Sequence, residues 1–304
     1  MKLIKVGIAN VPVLHEVAKT AYAGNFHTHW EAGGLEWYLD REFGIARLTA
    51  DLEKPDIVWW LIYVEEAPVG FVKLNTRSGL DDLPAEACCE LEKIYVLPDL
   101  KGGGIGKKVL AELIDRVGET AGKRILHLCV LDTNLPSIGF YKKAGFTFHS
   151  KCRLELPYFK DAFRGMDRMV LDLDKAKIDR LTARFFDIFT NADGRRPDWD
   201  AVYSTCIPEA LIIKKSGLDQ EVYNLDSFIA PRRKLLSGGA LTGFSEWEES
   251  EETRISGHIA QRFSQYRKKG VMDGRPFEQS GRKLFQFIKT GTGWQITAVV
   301  WEDY

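Results

Sequence analysis

The stretch Ile94-Tyr95-Val96-Leu97-Pro98-Asp99-Leu100-Lys101-Gly102-Gly103-Gly104-Ile105-Gly106-Lys107 has the residue types to bind an anion. An apolar run meets a glycine-rich turn, and an amphipathic pattern opens straight after it. A strand that turns through glycines into a helix leaves the first helical N–H groups without partners. Those groups and the helix dipole favour a phosphate. Glycine lets the backbone come close to such a ligand, because no Cβ stands in the way. Two familiar phosphate loops do not fit. A Walker loop ending at Gly106-Lys107 needs Gly where Lys101 stands and Ser or Thr where Lys108 stands. A dinucleotide fingerprint begun at Gly102 needs Gly or Ala at Lys107; begun at Gly104, it needs one at Val109.

Other chemistry is sparse. The cysteines number five (Cys88, Cys89, Cys129, Cys152, Cys206), with no Cys-x-x-Cys pair, and read as reduced thiols buried as small apolar residues. His27 and His29 have no matching Cys/His cluster, so no metal site is expected. Lys plus Arg is 42 and Asp plus Glu is 43, a net charge of −1 that argues against a charge-driven nucleic-acid binder. The longest apolar run, 57–64, is eight residues. A membrane span needs about 20. The first six residues lack the long apolar core of a signal peptide. A cytoplasmic protein without membrane or nucleic-acid partners is expected.

The elements that must position the glycine-rich turn follow from periodicity. At 304 residues the chain has room for two domains of roughly 150. The joint falls at 171–177, where a strand-like stretch gives way to Ile178, Leu181, Phe185 and Ile188 at helical spacing. The domains are therefore 1–173 and 174–304. In the first, the pattern predicts a strand at 3–8 and a helix capped by Asn10 with Pro12 in its first turn. A second helix follows Gly33-Gly34. A hairpin at 57–64 and 69–74, a strand at 91–97 and a helix over 104–122 come next. A strand at 124–131, a short helix at 136–144 and closing strands at 146–152 and 167–173 complete it. That mixture predicts a mixed α/β sheet rather than a doubly wound one. The second half reads as helices at 178–191 and around Trp199-Tyr203, strands at 210–214 and 254–266, and a final pair at 282–289 and 294–301, an α+β pattern.

The turn has a companion downstream, Asn134-Leu135-Pro136-Ser137-Ile138-Gly139-Phe140-Tyr141-Lys142-Lys143-Ala144-Gly145-Phe146. Together they resemble the two cofactor motifs of the GNAT superfamily of N-acetyltransferases, Gln/Arg-x-x-Gly-x-Gly/Ala and Asn-x-x-(Ala)-x-x-Phe-Tyr-x-x-x-Gly-Phe. Lys101 stands first in the former, a change conservative in charge but not in shape. The resemblance covers about residues 1–173, and Gly70-Phe71-Val72-Lys73-Leu74-Asn75 is similar to the branch that holds bacterial polyamine acetyltransferases. It implies acetyl-CoA as co-substrate. Its pantetheine would bond to Ile94, Tyr95 and Val96. Its pyrophosphate would sit at Lys101 and on the amides of Gly102, Gly103, Gly104, Ile105, Gly106 and Lys107. It further implies a cofactor contact at Asn134 and a general acid at Tyr141. Direct transfer needs a neutral amine, so something must take its proton. Glu92, two residues before Ile94, shares that residue's face on an unbulged strand and matches a proposed base of polyamine acetyltransferases. Glu90 and a water chain are the alternatives. Asp81, Asp82 and Glu86 would draw a cationic amine if they rim the site, and Glu31, His27 and His29 lie where the family places acceptor contacts.

The second half resembles the SnoaL-like cone fold, shared with nuclear transport factor two, through Phe185-Phe186, Trp199, Tyr203 and the ending from Gly293 to Trp301. That resemblance implies a pocket, for which His258, Tyr203 and Trp301 are candidate lining residues, and homodimers paired through the sheet. The combined expectation is an acetyl-CoA-dependent N-acetyltransferase acting on a small primary amine, with 174–304 for ligand binding or dimerisation. Its rivals are an acyl-CoA-binding sensor without turnover and a bifunctional protein with a second small-molecule pocket.

Overall fold

The computed structural model describes residues 1–80, 83–100, 102–120 and 122–304. Lys101, Asp81 and Asp82, singled out above, lie outside the described residues. The chain divides into two compact units, Met1–Leu173 and Asp174–Tyr304.

The first unit runs β1 (Lys2–Lys5), α1 (Val11–Phe26), α2 (Gly34–Phe43), α3 (Ile45–Leu52), β2 (Ile57–Val64), β3 (Ala67–Asn75) and β4 (Cys88–Val96). It continues α4 (Ile105–Glu119), β5 (Ile125–Leu131), α5 (Leu135–Lys143), β6 (Thr147–Arg153) and β7 (Gly165–Asp172). Its strands form one sheet in the order β1-β2-β3-β4-β5-β7-β6, in which β4 and β5 are parallel and the other neighbours antiparallel. The parallel pair requires a crossover, and α4 supplies it. Helices α1 to α3 bury Leu14, Ala18, Ala21, Tyr22, Phe43 and Leu48 against Trp59, Leu61 and Phe71. Helix α4 buries the stripe Val109, Leu110, Leu113, Ile114 and Val117, the 3.6-residue period made solid. Asn10 precedes α1 as expected, but its side-chain oxygen accepts from the Gly7 amide at 3.2 Å rather than from the helix.

Gly70 decides how closely β3 and β4 approach. A Cβ there would lie 2.3 Å from the Tyr95 carbonyl oxygen and 3.0 Å from the Val96 Cα. Only a residue without a side chain lets the strand that leads into the glycine-rich turn lie flush on its neighbour.

The second unit contains α6 (Leu173–Asp187), α7 (Ala201–Thr205), β8 (Cys206–Ser216), β9 (Asp219–Tyr223), α8 (Leu225–Ser237), β10 (Leu241–Ser256), β11 (Ile259–Met272), β12 (Arg275–Thr290) and β13 (Gly293–Asp303). Its six strands lie in the order β10-β11-β12-β13-β8-β9, antiparallel except for β13 against β8. It is mostly sheet. Two readings are corrected. The single strand expected at 254–266 is two strands around a turn at Gly257, whose φ of 58° needs glycine's freedom. And α8, which apolar periodicity did not disclose, is capped reciprocally by Asn224 and Ser227 and carries Pro231 inside it.

Candidate functional site

The sheet of the first unit opens between its two parallel strands. β4 pairs with β5 only through Cys88, Glu90 and the residue between them. Beyond Glu90 the edge of β4 that faced β5 has no strand partner, while its other edge stays paired to β3 through Val72↔Ile94, Phe71↔Tyr95 and Gly70↔Val96. Ile94, Tyr95 and Val96 thus offer one free backbone edge, and they are half-buried. An extended amide-bearing ligand can complete that edge as a strand would.

The glycine-rich turn follows directly. Gly102 and Gly104 have φ of 84° and 75°, and Gly104 caps α4 from the left-handed region. A Cβ built on either would meet nothing within 4 Å among the described residues. The first N–H bonded back into the turn is that of Lys108, to the Gly104 carbonyl at 3.1 Å. The amides of Ile105, Gly106 and Lys107 precede it, and no side chain caps them. This is the arrangement that receives phosphate. Lys101 lies outside the described residues.

Helix α5 brings the second motif. Asn134 caps it, its side-chain oxygen accepting from the Ser137 amide at 3.2 Å, which leaves its N–H donors for a ligand. Tyr141 packs on Phe140 and Phe146 with ring centroids 5.2 and 5.7 Å away. Burial pushes its phenol above the ordinary tyrosine value. Tyr95 is pushed up mainly by burial, with a smaller contribution from the charge of Tyr141. Tyr95 also stacks edge-on against Tyr22 and Phe26, at 5.8 and 5.4 Å.

The expected base is placed differently from its reading in sequence. β4 is bulged: Lys73 faces Lys93 while Leu74 faces Leu91, so Glu92 has no counterpart on β3. The bulge removes the alternation that put Glu92 beside Ile94. Glu92 instead shares the face of Lys93 and Tyr95, where its carboxylate lies 2.6 Å from the Lys73 ammonium and 4.0 Å from that of Lys93. Lys73 is 4% exposed and also pairs with Asp51 at 3.2 Å. Burial works to raise the Asp51 carboxyl, but the Lys54 hydrogen bond and the charges of Lys73 and Arg47 hold it below its ordinary value. Glu90 accepts from the Ser78 hydroxyl at 2.8 Å. Sequence reasoning missed Lys73 and Asp51. The signal was there: a lysine inside Val69-Gly70-Phe71-Val72-Lys73-Leu74 must either break the strand or find a buried carboxylate.

The acceptor candidates separate. Glu86 is exposed and paired to Arg77. Glu31 and His27 are exposed. His29 packs on Phe163 at 4.2 Å, and burial with the Lys160 charge pulls its imidazole below the usual value. All five cysteines are free; Cys88, Cys89 and Cys206 are buried, but Cys129 and Cys152 are only half-buried, their sulfurs 3.6 Å apart. Among the described residues no cluster of three potential metal ligands occurs, and no helix is long and apolar enough to cross a membrane. In the second unit Trp301 does line a cavity of about 910 Å³. Tyr203 and His258 do not: Tyr203 is exposed and donates to Asp226, and His258 sits in the exposed β10–β11 turn.

Residues 22–146 match the family model for the acetyltransferase (GNAT) family. An uncharacterized N-acetyltransferase of Lactobacillus delbrueckii subsp. lactis is 21% identical over 151 residues, half of this chain and 87% of that protein. One from Methanocaldococcus jannaschii is 34% identical over 83 residues, 27% of this chain and 36% of that one. The spermine/spermidine N(1)-acetyltransferase of Bacillus subtilis is 26% identical over 90 residues, 30% of this chain and 59% of that protein. A solved structure of the PaiA N-acetyltransferase of Thermoplasma acidophilum in complex with coenzyme A aligns with 56% of this chain and 98% of its own, at 19% identity and a TM-score of 0.45. The first unit therefore matches the GNAT family of acetyltransferases over residues 22–146, and the protein is an N-acetyltransferase. Acetyl-CoA is its co-substrate. The free edge of β4 and the open amides before α4 fit that molecule's extended pantetheine and its pyrophosphate.

Proposed function

We propose that the protein transfers an acetyl group from acetyl-CoA directly to the primary amine of a small molecule, polyamine-like in character. The observation that carries this reading is the parting of β4 from β5 beyond Glu90, followed along the chain by the uncapped amides that open α4. Ile94, Tyr95 and Val96 hold the pantetheine, Gly102 through Lys107 the pyrophosphate, and Asn134 donates to the same ligand. Bound acetyl-CoA supplies an activated acyl group and a thiol leaving group. Tyr141 keeps its proton over the working pH range, because burial raises its phenol. It can therefore donate a hydrogen bond, and finally the proton, to a departing thiolate. A thiol near pKa 8.5 is the stronger acid, so this transfer is uphill alone and gains from the proton released by the amine. Glu92 and Glu90 both lie on the face of Tyr95. Glu90 makes no ion pair among the described residues, whereas the Glu92 carboxylate is engaged by the Lys73 ammonium.

The spermine/spermidine N(1)-acetyltransferase among the relatives supports a polyamine-like acceptor. The second unit we read as a SnoaL-like module for ligand binding or homodimerisation, in a cytoplasmic protein. Its cavity favours one alternative, a sensor or bifunctional protein in which that unit holds a ligand of its own. The test is acetyl-CoA consumption with spermidine and a panel of primary amines. Tyr141→Phe should lower kcat by about 10²-fold or more and leave KM for acetyl-CoA nearly unchanged. Turnover that survives the substitution would remove Tyr141 from the chemistry, and binding without turnover on any amine would favour the sensor.

A further inference from the structure

The second unit's cavity is built on one face of its sheet. Register sets Lys214 beside Trp301, Trp301 beside Lys283, and Lys268 between Glu246 and Gln279. All six of those lining residues therefore project to the same side, where α6, the turn after it and α8 cover them with Phe185, Phe189 and Phe228. About 910 Å³ is the size of a small-molecule pocket rather than a packing defect. Aromatic walls with a few convergent charges are what such pockets present.

The charges do not cancel. Glu246 is taken by Lys283 at 2.6 Å, and both are nearly buried. Asp303 is taken by Lys268 at 2.7 Å and also accepts from the Tyr266 hydroxyl. Arg232 on α8 is left over. It makes no ion pair among the described residues, and its one hydrogen bond goes to the Phe228 carbonyl at 2.7 Å, which uses one of five N–H donors. Its guanidinium lies 3.9 Å from the Phe228 ring centroid, 5.5 Å from that of Trp301 and 5.7 Å from that of Tyr223. Aromatic faces steady a cation but do not satisfy its in-plane donors. At the mouth Arg275 and Asp273 add one charge of each sign, and Lys214 is matched by Glu221 at 3.6 Å. The interior therefore carries one unmatched positive charge in an aromatic pocket.

We propose that this cavity binds a small amphipathic organic carboxylate, its head paired with Arg232 and its apolar, aromatic-sized body between Phe185, Phe189, Phe228 and Trp301. A planar carboxylate matches the guanidinium fork, and the rings around it exclude water that would weaken the pair. Nothing in this proposal depends on acetyl transfer, so the two stand or fall apart.

The test uses the full chain and calorimetric titration with naphthalene-2-acetate and its neutral amide. The acid is expected to bind about tenfold or more tightly than the amide. Arg232→Met should erase that preference while leaving amide binding, and Arg232→Lys should keep part of it. Val299→Phe, which narrows the pocket away from the charge, should weaken acid and amide alike. Equal binding of acid and amide to the unaltered protein would overturn the proposal without any variant. So would a preference that survives Arg232→Met, or no binding of the acid at about 5 mM.

Discussion

The two units carry buried positive charge in opposite ways. In the first, Lys73 is closed in by Asp51 and Glu92, and nothing is left over for a ligand. Its proposed anion site is made instead from backbone: the uncapped amides at the start of α4, after glycines whose added Cβ would meet nothing nearby among the described residues. In the second, Glu246 and Asp303 are each matched by a lysine, and the surplus sits on a side chain, Arg232. A buried charge with partners on both sides is structure. A half-buried charge with an aromatic cage and idle donors is a place where something can bind. The comparison makes sharp demands on substitutions in each unit.

The largest effect should come from Lys73→Met. Removing one member of a buried ion-pair network leaves the others uncompensated, at a cost of about 3–5 kcal/mol. Denaturant unfolding of the full chain measures it, and a loss under about 1 kcal/mol would mean Asp51 and Glu92 do not depend on Lys73. Acid gives a second reading. The folded Asp51 carboxyl lies below its unfolded value. Its contribution is thus fully present above the ordinary carboxylate value of about 4 and is lost as pH falls through the depressed folded one. That acid loss should be smaller in Lys73→Met, because one of the groups that lowers Asp51 is gone.

Gly104→Asp comes next. It places a negative side chain where the pyrophosphate is proposed to lie. Acetyl-CoA at 100 times its Kd should stabilise the unaltered protein by about 2.7 kcal/mol in thermal unfolding, and the variant should show none of it. The φ of 75° at Gly104 adds an intrinsic cost of roughly 1–2 kcal/mol for any side chain, less for Asp than for most. Gly104→Ala pays a similar strain without the charge, so it should keep part of the acetyl-CoA shift. Were Asp and Ala to behave alike, strain rather than charge would be the cause, and the anion would bind elsewhere.

What sequence could and could not reveal follows the same division. The glycine-rich turn, the amphipathic stripe of α4 and the capping Asn134 are local, and local chemistry is written in consecutive residues. The face that Glu92 occupies was not. It hinged on a bulge at Leu74 and Leu91, a register event between two strands that no periodicity within one strand records. Lys73 was visible as an anomaly, but its partner Asp51 is 22 positions earlier on another element, and only packing joins them. In the second unit, helix α8 escaped notice because Pro231 interrupts a weakly amphipathic pattern. With the helix went Arg232. Lys283 stands on the face of β12 that also carries Phe285, and its partner Glu246 lies two strands away on β10, so only the folded sheet joins them. Residues 254–266 read as one strand because the turn at Gly257-His258 occupies only two positions between two continuous β-patterns.

The smallest effect separates the two kinds of buried charge. Arg232→Met replaces a guanidinium that has no carboxylate with an apolar chain of similar length, in a pocket walled by rings. Desolvating an unpaired charge costs free energy that no partner returns, so exchanging it for a well-packed apolar group is neutral or stabilising. Unfolding of the full chain without added ligand should therefore place Arg232→Met within about 1 kcal/mol of the parent, or above it. The contrast with Lys73→Met is the point: one removes a buried cation and the other a half-buried one, and only the first should destabilise the fold. A loss of about 3 kcal/mol or more at Arg232 would mean the guanidinium is held by the fold as Lys73 is. The surplus charge would then be a structural element rather than a vacancy for an anion. A neutral result combined with lost preference for naphthalene-2-acetate would place Arg232 among groups kept for what they bind, because stability alone gives no reason for an arginine at that position.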